Sequence, residues 1–136
     1  MNNHSDQFEI TALPENAGIV RERVKAAAKS LGFTRYDLDD IEIAVGEAIT
    51  NAILYGSPSA TSRIVVLTFT TETDPFFHVE IRDQGQGFDP HAIREEAGTD
   101  ALGGRGVRLM RALMDEVDLH YNGNGMTVRL SKRLPG

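Results

Sequence analysis

Three polar side chains, Glu47, Asn51 and Tyr55, recur at four-residue intervals within residues 39–55. The apolar residues of the same stretch recur at i, i+3, i+4, i+7, i+8 and i+11, which predicts one buried face of an α-helix: Ile41, Ala44, Val45, Ala48, Ile49 and Ala52. The carboxylate and the amide would then border the core, where they could line the floor of a pocket. An ordinary amphipathic helix with hydrated polar residues fits the same pattern.

A first glycine cluster, Asp83-Gln84-Gly85-Gln86-Gly87-Phe88, directly follows a predicted strand. An aspartate at the end of a strand could accept a hydrogen bond from a ring amino group in a concave site. Gly85 and Gly87 would let the backbone approach such a ligand closely. The alternative is a glycine-rich turn whose aspartate accepts local backbone N–H groups.

A second cluster, Gly103-Gly104-Arg105-Gly106, immediately precedes a predicted helix. Backbone N–H groups and the positive end of the helix dipole suit a phosphate there, and Arg105 or Arg108 could add charge. The alternative is a loop-to-helix transition with solvated arginines. The sequence contains no P-loop motif, and neither cluster has the glycine spacing of a dinucleotide-binding fingerprint.

Composition narrows the remaining classes of function. The 136 residues suffice for one domain, and the absence of cysteine excludes disulfides, thiolate catalysis and cysteine-based zinc sites. A net charge of −6 argues against general binding to nucleic acid or anionic membranes. No apolar run is long enough to span a bilayer, and the N-terminus lacks secretory features, so a cytoplasmic protein is expected.

Periodicity and turn residues predict the order βαα, ββ, loop, α, ββ. We expect a polar, frayed segment at residues 1–7 and a single domain at residues 8–136. Asp39 or Asp40 is the predicted N-cap of the second helix, and Gly56 its stop. The fold class is α+β, a two-layer sandwich with a mostly antiparallel sheet and helices on one face. The predicted helices span residues 15–31, 37–55 and 107–114, and the predicted strands residues 8–12, 63–71, 76–82, 117–121 and 126–134.

Taken in order, these motifs resemble those of the GHKL ATPases, the superfamily of gyrase-type and histidine-kinase ATP-binding domains, which have the Bergerat-type fold. Glu47-x-x-x-Asn51 resembles the first box, Asp83-x-Gly85-x-Gly87 the second, and Gly104-Arg105-Gly106 the third. The segment GMTVRL at residues 125–130 is similar to the glycine-threonine strand of the family near the adenine, with Thr127 as its threonine. The chain most resembles the branch of anti-sigma factor serine/threonine-protein kinases.

The resemblance implies a role for each motif. Asn51 would hold Mg²⁺ on the phosphates of ATP, and Glu47 would act as general base toward a hydroxyl of a partner protein. Asp83 would bind the adenine amino group, with Gly85, Gly87 and Thr127 beside the base. Gly104, Arg105 and Gly106 would close on the phosphates, with residues 86–102 as a lid.

The resemblance also implies a biological role. The protein would restrain a sigma factor and phosphorylate a serine or threonine of an anti-anti-sigma antagonist, acting as a homodimer. A non-catalytic, nucleotide-gated binding module is the alternative, and Glu47 favours the kinase because a mere binder needs no base. The ATP-binding half of a histidine kinase is disfavoured because only His4 precedes the domain. A structural protein without any ligand is the remaining alternative.

Overall fold

The computed structural model describes residues 3–84, 104–121 and 123–136. Their elements follow the predicted order: β1 (Ser5–Thr11), α1 (Ala17–Ser30), α2 (Arg35–Leu54), β2 (Arg63–Thr70), β3 (Phe76–Arg82), α3 (Gly104–Leu113), β4 (Glu116–Tyr121) and β5 (Met126–Arg133). A short 3₁₀ turn, Pro14–Asn16, precedes α1. Within the described ranges, no helix combines the length and the apolarity that crossing a bilayer requires.

The five strands form one antiparallel sheet in the order β1-β2-β3-β5-β4. Alternate strand residues are buried against the helices, as expected when one face of a sheet carries the core. The α+β sandwich with an antiparallel sheet is therefore confirmed. The strands contribute Ile10, Ile64, Val66, Phe77, Val79, Ile81, Met126, Val128 and Leu130 to the core, and α2 contributes all six of the apolar residues that its periodicity selects.

On the face of the sheet that points away from the helices, polar side chains of the strands form a cluster around a buried carboxylate. Glu80 has only 3% of its surface exposed, and it accepts hydrogen bonds from Arg82 (Nη2, 2.8 Å) and Arg129 (Nε, 2.8 Å). Burial alone would raise the pKa of Glu80, but the hydrogen bonds from the two arginines outweigh it and hold this pKa below its usual value. Beside this cluster, the Arg129 guanidinium lies 5.6 Å from the ring centroid of Phe69.

Three elements begin two or three residues earlier than the sequence predicts. Residues 1–7 do not form a frayed segment throughout, because β1 begins at Ser5, which pairs with Phe69 of β2. The N-cap of α2 is neither Asp39 nor Asp40: Thr34 Oγ1 accepts from the backbone N–H of Asp37 at 3.3 Å, and the helix begins at Arg35 rather than residue 37. Helix α3 begins at Gly104 rather than residue 107, which places Gly104, Arg105 and Gly106 inside its first turn.

Candidate functional site

Helix α2 presents Glu47 and Asn51 at the border of the core, as its periodicity predicts. Ala48, Ile49 and Ala52 are almost fully buried on either side of these residues. Asn51 is itself 4% exposed, and Glu47 is half-buried. Because both side chains leave the same side of the helix one turn apart, the carboxylate and the amide face the same neighbour, helix α3.

The first turn of α3 packs against these two side chains, and Gly106 permits the close approach. A Cβ atom at Gly106 would lie 3.1 Å from Glu47 Oε2 and 3.2 Å from Asn51 Nδ2. Gly104 and Gly106 are buried, whereas Arg105 is exposed. Together the two helices enclose a pocket of about 190 Å³, which we call the Glu47 pocket; it is lined by Glu47, Thr50, Asn51, Leu54, Tyr55, Arg105, Gly106 and Leu109.

The amide of Asn51 is left with an unused polar atom in this pocket. Its Nδ2 is buried and has no hydrogen-bond partner among the described residues. A buried polar group without a partner costs stability, so such a group points to a ligand or a water that completes it. Because the O and N atoms of an amide interchange by a half-turn, Asn51 could present either a donor to a phosphate or an oxygen to a cation.

Asp83 is held at the end of β3 by contacts from two sides. Its Oδ1 accepts from the backbone N–H of Met126 at 3.0 Å, and its own N–H donates to the Met126 carbonyl at 3.0 Å. A Cβ atom at Gly56 would lie 2.0 Å from Asp83 Oδ2, and a Cβ at Gly125 would lie 2.2 Å from the Asp83 carbonyl oxygen. The side chain of Asp83 is therefore buried in a position that only glycines at these two places allow.

The sequence analysis predicted Gly56 as a helix stop and Gly125 as the glycine of a glycine-threonine strand near the adenine, but it did not predict the contact of either glycine with Asp83. Glycine directly after a helix or in a hairpin is common for local reasons, so no sequence signal separated the two roles. Gly56 also connects Asp83 to the Glu47 pocket, because its N–H donates to the carbonyl groups of Asn51 (3.3 Å) and Ala52 (3.2 Å).

The remaining predicted site residues are placed as follows. Thr127 pairs with Arg82 and lines a separate pocket with Glu80 and Arg129 on the opposite face of the sheet. The structure therefore does not bring Thr127 together with Asp83; its neighbour Met126, on the helix-facing side, makes that contact. Gly85, Gly87 and the predicted lid at residues 86–102 lie outside the described residues.

The sequence model of the histidine kinase-like ATPase domain family matches residues 10–132 of this chain. The chain belongs to the histidine kinase-like ATPase family. This match includes both helices that line the Glu47 pocket, α2 and α3. It confirms the resemblance drawn from the Glu-x-x-x-Asn helix and the two glycine clusters.

Individual relatives are more specific. The chain is 36% identical to the serine-protein kinase RsbW of Bacillus velezensis over 96% of this chain and 86% of that protein. It is 34% identical to the serine-protein kinase RsbW of Bacillus subtilis over 100% of this chain and 91% of that protein.

Solved structures share the fold. The RsbU and RsbW domains of a Mycobacterium tuberculosis protein superpose with a TM-score of 0.67 at 20% identity, covering 95% of this chain and 32% of that one. The histidine kinase domain of a blue-light-activated kinase from Erythrobacter litoralis gives a TM-score of 0.58 at 20% identity, over 87% of this chain and 61% of that one. At this identity the likeness concerns the fold alone.

Proposed function

We propose that this chain is an anti-sigma factor with serine/threonine-protein kinase activity, which uses Mg²⁺-ATP to phosphorylate an anti-anti-sigma antagonist. The observation that carries the proposal is the buried Nδ2 of Asn51, which lies beside Glu47 under the first turn of α3 and has no hydrogen-bond partner in the part of the chain that the structure describes. The relatives named serine-protein kinase RsbW support the same conclusion over nearly the full length of the chain.

The proposal gives the following roles to the residues of the site. Asn51 holds Mg²⁺ through its amide oxygen, and the backbone N–H groups of Gly104, Arg105 and Gly106 at the start of α3 receive the phosphates. The Arg105 side chain lines the same pocket and adds positive charge. Bound Mg²⁺ supplies charge neutralisation on the phosphates. Asp83 accepts a hydrogen bond from the adenine amino group, with Gly85 and Gly87 beside the base.

Glu47 is the proposed general base. Its carboxylate accepts the proton of a serine or threonine hydroxyl while the hydroxyl oxygen bonds to the terminal phosphorus and ADP leaves. The geometry suits this role because Glu47 Oε2 faces Gly106 at the start of α3, where we place the phosphates. We further propose that the protein forms a homodimer and binds a sigma factor when the antagonist is absent or already phosphorylated.

Titration calorimetry with ATP tests the nucleotide site. We expect saturable binding that needs Mg²⁺, loss of binding in Asp83→Asn, and loss of the Mg²⁺ dependence in Asn51→Ala. Asn16→Ala is a matched control, because Asn16 is an amide outside the site that hydrogen-bonds Thr11. If wild-type protein does not bind ATP, the proposal is wrong.

Transfer of labelled γ-phosphate to small anti-anti-sigma proteins of the same organism tests the catalytic role. Glu47→Gln keeps the shape of the side chain and removes its basicity, so we expect ATP binding to persist while transfer falls by about 10²–10⁴-fold. Tight ATP binding by the wild type without transfer to any of these proteins would instead identify a nucleotide-gated binding module.

A further inference from the structure

Helix α3 has one end at the Glu47 pocket and its other end at the last strand of the sheet. Its first turn, with Gly106, faces Glu47 and Asn51. Its last residue, Leu113, lies beside the C-terminal end of β5, where Lys132 donates from Nζ to the Leu113 carbonyl at 2.6 Å. The position of the first turn in the pocket therefore depends on what holds the far end of the helix.

Three hydrogen bonds tie the end of α3 to consecutive residues of β5, and we call them the α3 anchor. The first is the bond from Lys132 to Leu113. In the second, the backbone N–H of Asp115 donates to the Ser131 carbonyl at 2.9 Å. In the third, the backbone N–H of Arg133 donates to Asp115 Oδ2 at 2.7 Å. Because residues 131–133 pair with β3, the anchor fixes the end of the helix to the sheet.

The ammonium of Lys132 also reaches helix α2. It lies 3.6 Å from Asp40 Oδ2 and 3.9 Å from Asp37 Oδ1, in the first two turns of α2. The side chain of Lys132 is only 13% exposed. A cation at the C-terminal end of a helix also interacts favourably with the helix dipole. Lys132 is therefore a largely buried cation that the end of α3 and the start of α2 share.

The anchor and the Glu47 pocket lie at opposite ends of the contact between the two helices. The start of α3 faces the C-terminal half of α2, and the end of α3 shares Lys132 with the first turns of α2, so the helices are antiparallel. Gly104 and Gly106 have no side chains that could interlock with α2. The position of α3 along α2 is therefore set by Val107 and Met110, which are buried, and by the anchor.

We propose that Lys132 is a positioning residue for the phosphate-binding turn of α3. Its ammonium fixes the end of α3 against the start of α2, and it thereby sets how the first-turn N–H groups stand relative to Glu47 and Asn51. Lys132 does not line the Glu47 pocket, so it acts through α3 and not by contact with the nucleotide. This inference rests on the proposed kinase function and adds a residue that determines its geometry.

Lys132→Met tests the inference, because methionine keeps most of the side-chain length and removes the charge and the N–H donors. We expect the affinity for Mg²⁺-ATP to fall about tenfold by titration calorimetry. The affinity for adenosine, followed by ligand-observed NMR, should stay within about twofold, because adenosine has no phosphates and its base would bind at Asp83. A misplacement of about 1 Å can cost a hundredfold in rate, and two bonds of the anchor remain, so kcat should fall about tenfold.

Two further variants separate position from stability. Lys29→Met is the matched control, because Lys29 is an exposed lysine in the last turn of α1, away from α3. It should leave the ATP affinity and kcat unchanged. Lys132→Arg keeps a cation and N–H donors, so it should recover most of the ATP affinity that Lys132→Met loses.

NMR of the nucleotide-free protein gives a readout that does not depend on activity. The backbone amide of Gly106 and the side-chain amide of Asn51 report on the packing of the first turn of α3. We expect both ¹H–¹⁵N resonances to shift in Lys132→Met, to stay in place in Lys29→Met, and to return toward the wild-type positions in Lys132→Arg. A lysine that only stabilises the fold would move neither resonance.

The outcomes separate the two proposals. If wild-type protein binds no ATP, the kinase function fails, and the positioning role for the phosphates fails with it. If wild-type protein binds ATP and transfers phosphate, but Lys132→Met differs from it only in melting temperature, the positioning inference alone is wrong. Equal losses of ATP and adenosine affinity would also overturn it, because the whole site would then be disturbed.

Discussion

Gly106→Ala is the substitution that most directly tests how the two helices build the Glu47 pocket. The new methyl group would lie 3.1 Å from Glu47 Oε2 and 3.2 Å from Asn51 Nδ2. Comfortable contacts are about 3.5–4.0 Å, so these side chains must move by about 0.3–0.9 Å. Displacements near 1 Å at a reacting group cost about a hundredfold, so we expect phosphotransfer to fall by about ten- to a hundredfold.

The stability of the fold should respond in the opposite sense. Alanine is favoured over glycine inside a helix by roughly 0.5–1 kcal/mol, and the neighbours that must move are the ends of two side chains. We therefore expect the melting temperature of Gly106→Ala to equal that of the wild type or to exceed it slightly. If the variant is stable but transfers phosphate poorly, the close approach of α3 to Glu47 and Asn51 contributes to ligand binding and catalysis rather than to the stability of the fold.

Titration calorimetry with ATP and ADP, a thermal melt and a phosphotransfer assay measure the three quantities on one preparation. Gly18→Ala is the control, because it makes the same change near the start of α1, where the new Cβ would lie 3.6 Å from Arg21 Nη2, an ordinary van der Waals distance. We expect this control to bind ATP like the wild type. Wild-type nucleotide affinity and transfer in Gly106→Ala would refute the proposed packing of α3 on the site.

Three further substitutions probe other contacts. Gly56→Ala places a methyl group 2.0 Å from Asp83 Oδ2, so urea unfolding should show a loss of about 1–3 kcal/mol together with weaker ATP binding; wild-type affinity would contradict the role of Asp83. The pKa of Glu80 is lowered from 4.5 in the folded state, so its stabilising contribution is complete above pH 4.5 and is lost as the pH falls through the folded-state value. Urea unfolding across this range should show a shallower acid dependence for Glu80→Gln, and equal slopes would count against the prediction. Lys132 donates to the Leu113 carbonyl at the end of α3 at 2.6 Å, so Lys132→Met should lower the free energy of unfolding by about 1 kcal/mol; an unchanged value would show that water replaces the ammonium.

The elements that local patterns specify were predictable from the sequence. The burial of Ile41, Ala44 and their partners follows from helical spacing alone, and β3 has the bounds that its β-branched and aromatic residues predict. The N-cap of α2 was missed although Thr34 and Asp37 have the spacing of a capping pair. Asp39 and Asp40 were equally plausible N-caps, and only the packing of the helix distinguishes them from Thr34.

Contacts between distant segments were less predictable. Which residue of β5 faces Asp83 depends on the register between β3 and β5, and a shift of one residue exchanges Met126 for Thr127 and one sheet face for the other. The contact of Gly56 with Asp83 likewise joins the end of a helix to the end of a strand 27 positions later. Neither contact leaves a periodic signal in the sequence.

The strand order also determines when the protein can complete its fold during synthesis. β5 is the last strand along the chain, yet it lies between β3 and β4 and provides the pairing that joins β3 to the C-terminal part of the sheet. At about 5–20 residues per second, a ribosome needs roughly 2–9 s to travel from the end of β3 to the start of β5. During that interval the β1-β2-β3 sheet has an unpaired inner edge, and the newborn chain is open to chaperones or to pairing with another copy.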